Sequence, residues 1–157
     1  QRILQNLLSE GISIRDVPTI LEGIAEAAPL TANLTQMTEH VRARLARQIS
    51  ASQVRGDAIP VVTLSPEWDL AFAESILGQG DERQLAMAPS SLQRFIGAVR
   101  DTYDRLAQDG EIPCLLTSPS IRPFVRSIIE RVRPATVVLS QNEIHARARI
   151  RALGTIG

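Results

Sequence analysis

The chain has 157 residues, 44% hydrophobic and 22% charged, a balance suited to one folded domain or two small ones and too apolar for disorder. Seventeen basic and seventeen acidic residues cancel, so no overall field recruits nucleic acid or an anionic membrane. Every basic residue is arginine, which excludes a P-loop lysine, a Schiff-base lysine and a lysine general base. Residues 1–52 read as helical throughout. Ile3, Leu4, Leu7 and Leu8 repeat at helical spacing until Gly11 breaks the pattern. Val17, Ile20, Leu21, Ile24 and Ala28 form a second apolar stripe, closed by Pro29. Ser13 and Asp16 are spaced as a capping box, but Pro18 belongs in a first turn, which makes Asp16 the competing cap. A third helix is expected over about 34–51, with Leu34, Met37, Val41, Leu45 and Ile49 on one side. Arg42, Arg44 and Arg47 lie off that stripe.

Residues 53–59 read as a connector, after which the hydrophobic period changes. Pro60–Leu64 is a short apolar run of strand type. Ser65 and Pro66 open a helix to about Leu77. Residues 78–81 read as a loop and 85–87 as a short strand. Pro89 starts a long helix ending near Gly110, and 112–117 is a strand. A helix over 119–132, a strand over 136–139 and a final run in which Arg147, Arg149 and Arg151 alternate with Ala148, Ile150 and Ala152 complete the chain. Short apolar strands separated by helices point to mostly parallel pairing. The expected fold is α+β overall. A small all-α helical subdomain (1–52) and a connector (53–59) precede an α/β subdomain (60–157) with a short, mostly parallel sheet flanked by helices.

The sequence offers little for chemistry. Cys114 is the single cysteine, so no internal disulfide or CxxC knuckle is expected, and it reads as a small buried hydrophobe. With only His40 and His145 as imidazoles, no metal site is expected. No cofactor motif and no catalytic residue stands out. No apolar run reaches the ~18–20 residues of a membrane span, and no signal peptide is expected. Opening on Gln1 rather than Met, the sequence reads as a piece of something longer. Thr117-Ser-Pro-Ser120 follows a strand and opens a helix, where α/β folds expose functional groups; an ordinary Ser N-cap is the plainer reading. Gly11–Ala28 invites a helix-turn-helix reading, but its second helix carries Asp16, Glu22 and Glu26 with only Arg15 as a base, and phosphates would repel it. Charge is segregated along the chain. Residues 60–118 hold four Arg and nine acids, and residues 119–157 hold seven Arg and two acids. Such a surface suits polar contacts with a neighbouring domain or subunit.

Two stretches carry a family resemblance. Leu7–Asp16 (LLSEGISIRD) followed by Thr19-Ile-Leu-Glu22 resembles the helical segment in the cytoplasmic part of the large export-gate family of type III secretion. Val138–Ile144 (VLSQNEI) and the ending Gly154-Thr-Ile-Gly157 look like that family's C-terminal end, in its flagellar rather than its virulence form. His145 stands where the family pattern carries a proline. The resemblance implies a non-enzymatic role at the cytoplasmic face of the bacterial inner membrane, reached through an N-terminal membrane part not included here. It implies the last two cytoplasmic subdomains of a homo-oligomeric ring. That ring receives flagellar export substrates and chaperone–substrate complexes and meets other export-apparatus proteins; no nucleic acid, cofactor or metal is involved. The helical part is expected to supply ring contacts, and the α/β part to move about a hinge at 53–59. Arg15, Asp16, Arg44 and Arg47 are the expected partner-contact residues. The competing readings are a virulence-type secretion export gate, a small α/β enzyme with its site near 117–120 and a transcription-type DNA binder.

Overall fold

Strand runs that are apolar at every position must bury both faces, and they do so in the computed structural model, which describes residues 1–78 and 82–157. Strands β1 (Ile59–Leu64), β4 (Cys114–Thr117), β5 (Val138–Ser140) and β6 (Ile150–Ile156) form a parallel sheet in the order β5-β4-β1-β6. A separate antiparallel pair joins β2 (Ile76–Leu77) to β3 (Gln84–Leu85). The helices are α1 (Arg2–Ser9), α2 (Val17–Ala27), α3 (Leu34–Arg44), α4 (Ala46–Gln53), α5 (Pro66–Ser75), α6 (Pro89–Gln108) and α7 (Arg122–Val132).

The two-residue period of a strand sorts the core into two layers. Val62, Leu115 and Val138 face α5, α6 and α7, where Phe72, Phe95, Val99, Val125 and Ile129 pack against them. Ile59, Val61, Cys114, Leu116 and Leu139 face the other way and meet Leu7, Ile20, Val41, Leu45 and Ile49 of α1–α4. The helical part therefore lies directly on one side of the sheet as the third layer of a sandwich. Each fully buried Val, Leu or Ile contributes about 1.5–3 kcal/mol, so this shared face is a large fraction of the fold's stability.

Local chemistry sets the element ends. Asp16 caps α2 by accepting from the Thr19 amide at 3.3 Å, while Ser13 accepts from Arg15 N instead. Ser65 caps α5 through the Trp68 amide, with Pro66 in its first turn. The long α6 gives way to a turn at Gly110, whose φ of +76° suits a residue without a Cβ.

Several boundaries differ from expectation. The helix expected over 34–51 is two helices. Leu45 adopts φ −94°, ψ 16°, and its amide is shared between the Val41 and Arg42 carbonyls. The break re-aims α4 while Val41, Leu45 and Ile49 stay buried. The last helix starts at Arg122 rather than 119, capped by no side chain, so Ser120 is not its N-cap. Only Arg151 of the alternating arginines lies within β6; Arg147 and Arg149 precede the strand. Met87 lies outside β3. Of the loop expected at 78–81, residues 79–81 fall outside the described residues.

Candidate functional site

The junction between the helical layer and the sheet is ionic at its centre. Arg42, on the sheet-facing side of α3, and Arg122, the first residue of α7, are each only 1% exposed. Arg42 donates from Nε and Nη2 to Glu143 at 2.6 and 2.9 Å. Arg122 donates from Nε and Nη2 to Glu39 at 2.7 Å each, and from Nη1 and Nη2 to Glu10 at 2.9 and 3.0 Å. Both guanidinium groups also reach the Val138 carbonyl of β5. Arg126, one turn further along α7, stands 3.7 Å from Glu10. The network thus joins α1, α3, α7, β5 and the 3₁₀ turn Gln141–Glu143.

Burial alone makes such charges costly, and bidentate guanidinium–carboxylate geometry offsets that cost. The balance differs between the carboxylates. Burial pushes Glu10 up, but Arg122, Arg42 and Arg126 together hold it below the ordinary carboxylate value. Glu39 stays above its ordinary value because burial, joined by the nearby Glu143 charge, outweighs a guanidinium it shares with Glu10. Glu143 is fixed from both sides. Its carboxylate accepts from the Ser140 amide in a capping box, and its carbonyl accepts from Ser50 Oγ of α4 at 2.7 Å. Ser50 Oγ also accepts from the His145 amide. This is the physical content of the Ser-Gln-Asn-Glu-Ile run: it fastens the end of the sheet to the helical layer.

A cleft of about 370 Å³ opens beside this junction, between α3 and the start of α7. Glu39 and His40 line one wall; Pro119, Pro123 and Phe124 line the other. The hollow at the strand ends, where an enzyme site was expected as an alternative, is only about 80 Å³. There Ser118 Oγ donates to Asp69 at 2.9 Å, and no imidazole is among the described lining residues. The described residues contain no group of His, Cys, Asp and Glu arranged to hold a metal.

Arg15, Asp16, Arg44 and Arg47 are all exposed on the helical layer. Asp16 is occupied in capping, Thr19 Oγ1 also donating to it at 2.7 Å. Arg44 pairs with Glu22 at 2.7 Å and Glu26 at 3.5 Å across the α2–α3 contact. Spacing missed the network itself. Helical spacing sets Arg42 off the apolar stripe with Arg44 and Arg47, yet it is buried. One signal was available: Ser140-x-x-Glu143 has the capping-box spacing.

The profile of the FHIPEP family matches residues 1–149. The chain belongs to that family. A FHIPEP relative, the flagellar biosynthesis protein FlhA of Caulobacter vibrioides, is 60% identical over 99% of this chain and 22% of its own length. The chain therefore spans about a fifth of that relative. The Chlamydia pneumoniae CdsV protein superposes with a TM-score of 0.89 at 33% identity, covering 99% of this chain and 45% of CdsV. A nonameric SctV-C from enteropathogenic Escherichia coli gives 0.83 at 27% identity, covering 99% and 47%. The export-gate resemblance carried by the chain's two ends thus extends over nearly all of it. No described helix of this FHIPEP chain is long and apolar enough to cross a membrane.

Proposed function

We propose that this chain is the terminal part of the cytoplasmic region of a flagellar export gate, one unit of a homo-oligomeric ring at the inner membrane's cytoplasmic face. Its work is to offer folded surfaces to neighbouring copies, export chaperones and export substrates, without catalysis. The observation that carries this reading is the superposition of nearly the whole chain on a subunit of a nonameric assembly. The surface is consistent with it. The exposed arginines of the helical layer form pairs or stand free of the core, and such polar contacts are weak between isolated subunits. The chain alone is then monomeric in dilute solution, and its membrane part supplies the effective concentration.

Arg15, Asp16, Arg44 and Arg47 are proposed as ring or partner contacts. A hinge at 53–59 is physically unfavourable, because rotation there would strip the shared sheet face and break the buried network. Motion that opens a cleft is better placed between this whole unit and the preceding part of the gate. The test is charge reversal of Arg15 and Arg47 to Glu in the complete gate protein; Arg44 keeps its charge because it pairs with Glu22 and Glu26 within the chain. Loss of rings by electron microscopy and of motility, with the thermal midpoint of the isolated chain unchanged, supports the proposal. Intact rings and normal swimming would overturn it.

A further inference from the structure

The cleft beside the ionic junction has the make-up of a recognition site, and nothing in the ring reading uses it. Its volume of about 370 Å³ falls in the ~300–1,000 Å³ range of ligand pockets. Its far wall is apolar: Pro119, Pro123 and the half-buried ring of Phe124, which is supported from behind by the α5–α7 core. Its near wall carries the Glu39 carboxylate, the only acidic side chain among the described lining residues. Both oxygens of Glu39 accept from Arg122, the residue that precedes Pro123, so the carboxylate lies close to the apolar wall.

Glu39 is short of positive charge. It shares Arg122 with Glu10, and burial together with the Glu143 charge outweighs Arg122 and Arg42, holding its carboxyl above the ordinary value. His40, beside it, is engaged with Glu26 at 3.0 Å. Arg83 is the only guanidinium among the described lining residues, and it is exposed, where solvent screens it. A cation entering from the cleft thus meets an incompletely compensated carboxylate next to an apolar surface. In an extended peptide successive side chains point to opposite sides, so one reaches the apolar far wall while its neighbour reaches Glu39 on the near wall.

We propose that this cleft docks an extended segment of a partner protein, one that seats an apolar or aromatic side chain on Phe124 and the two prolines and presents an adjacent basic side chain to Glu39. The cleft lies one side chain from the buried network, so an occupant that competes with Arg122 for Glu39 changes the hold of Arg122 on Glu10 at the end of α1.

The test is a titration of the isotopically labelled 157-residue chain, followed by amide chemical shifts, with the acetylated and amidated peptide Gly-Phe-Arg-Gly. Comparison peptides are Gly-Phe-Glu-Gly and Gly-Ala-Arg-Gly, and acetyl-arginine-amide reports a small cation alone. The expected result is saturable shifts confined to residues 33–43 and 119–124. Each comparison peptide and the small cation should bind about tenfold more weakly, the loss of one charge-assisted contact or one apolar side chain. Thr35→Trp, at the exposed rim and outside the ion network, fills the cleft and should abolish the shifts without changing the fold. Phe124→Ala should weaken binding similarly. Equal binding of the charge-reversed peptide, equal binding of acetyl-arginine-amide, shifts elsewhere, unchanged binding to Thr35→Trp, or no binding at all would each overturn the proposal.

Discussion

Replacing Arg122 with Met keeps the bulk of the side chain and removes its charge at the centre of the junction. Five hydrogen bonds are lost: two to Glu39, two to Glu10 and one to Val138. They are not equivalent. The Val138 carbonyl still accepts from Arg42 Nη2 at 3.2 Å, and Glu10 keeps Arg42 at 3.4 Å and Arg126 at 3.7 Å. Glu39 keeps no bidentate partner although it is only 21% exposed. Breaking a buried pair from one side costs about 3–5 kcal/mol. At ~2–4 °C per kcal/mol for a chain of this size, the thermal midpoint should fall by roughly 6–20 °C. The deficit should also depend on pH. Without Arg122, burial favours the protonated form of Glu39 in the native state, so the native state binds more protons than the unfolded one and gains stability as pH falls. Urea unfolding followed by circular dichroism at pH 7 and pH 5 measures both effects. Adding Glu39→Gln should recover much of the loss at pH 7, since the uncompensated charge is then gone. A loss below about 1 kcal/mol, the level of an exposed ion pair, or a loss equal at both pH values would refute this account of the junction.

Three further outcomes follow from the same geometry. Glu10 sits below its ordinary value of 4.5, so its stabilisation is present above that pH and is lost as pH falls through the lower native value. Glu10→Gln should flatten the acid limb of a midpoint-against-pH curve; an unchanged limb would refute the assignment. Burial pushes the Cys114 thiol up to about 11, so iodoacetamide at pH 7.5 should leave the native chain unmodified and alkylate it in urea, as mass spectrometry would show. Gly23 lets α2 approach α3, because a Cβ there would lie 3.1 Å from Val41 Cγ2 and 3.3 Å from Val41 Cα. Gly23→Val should therefore cost about 1–3 kcal/mol in urea unfolding through overpacking, and a neutral or stabilising result would show that the two helices separate freely.

Much of the secondary structure was legible because apolar periodicity reports which faces leave water. The run Val61-Val62 is buried on both faces as a central strand should be, and Ser65-Pro66 begins a helix through local bonding alone. The limits of that reading are physical too. The interruption at Leu45 leaves the stripe of Val41, Leu45 and Ile49 intact, so spacing carries no trace of it. That the helical part covers one face of the sheet was equally hidden, since a strand apolar on both faces does not say what lies on either.

The amino-acid order by itself determined the α+β character, the parallel pairing of short apolar strands and, through its two ends, the family. It did so because transfer of apolar side chains and capping of helix ends are local quantities. Only the tertiary structure decided which arginines are interior. A buried guanidinium is tolerated where carboxylates meet it, and the carboxylate of Glu143 that receives Arg42 lies 101 residues further along the chain. Arg42 and Arg44 are two positions apart on one helix, yet the first is sealed in the junction and the second is open to solvent, because distant partners, not neighbours in sequence, set the free energy of burying a charge.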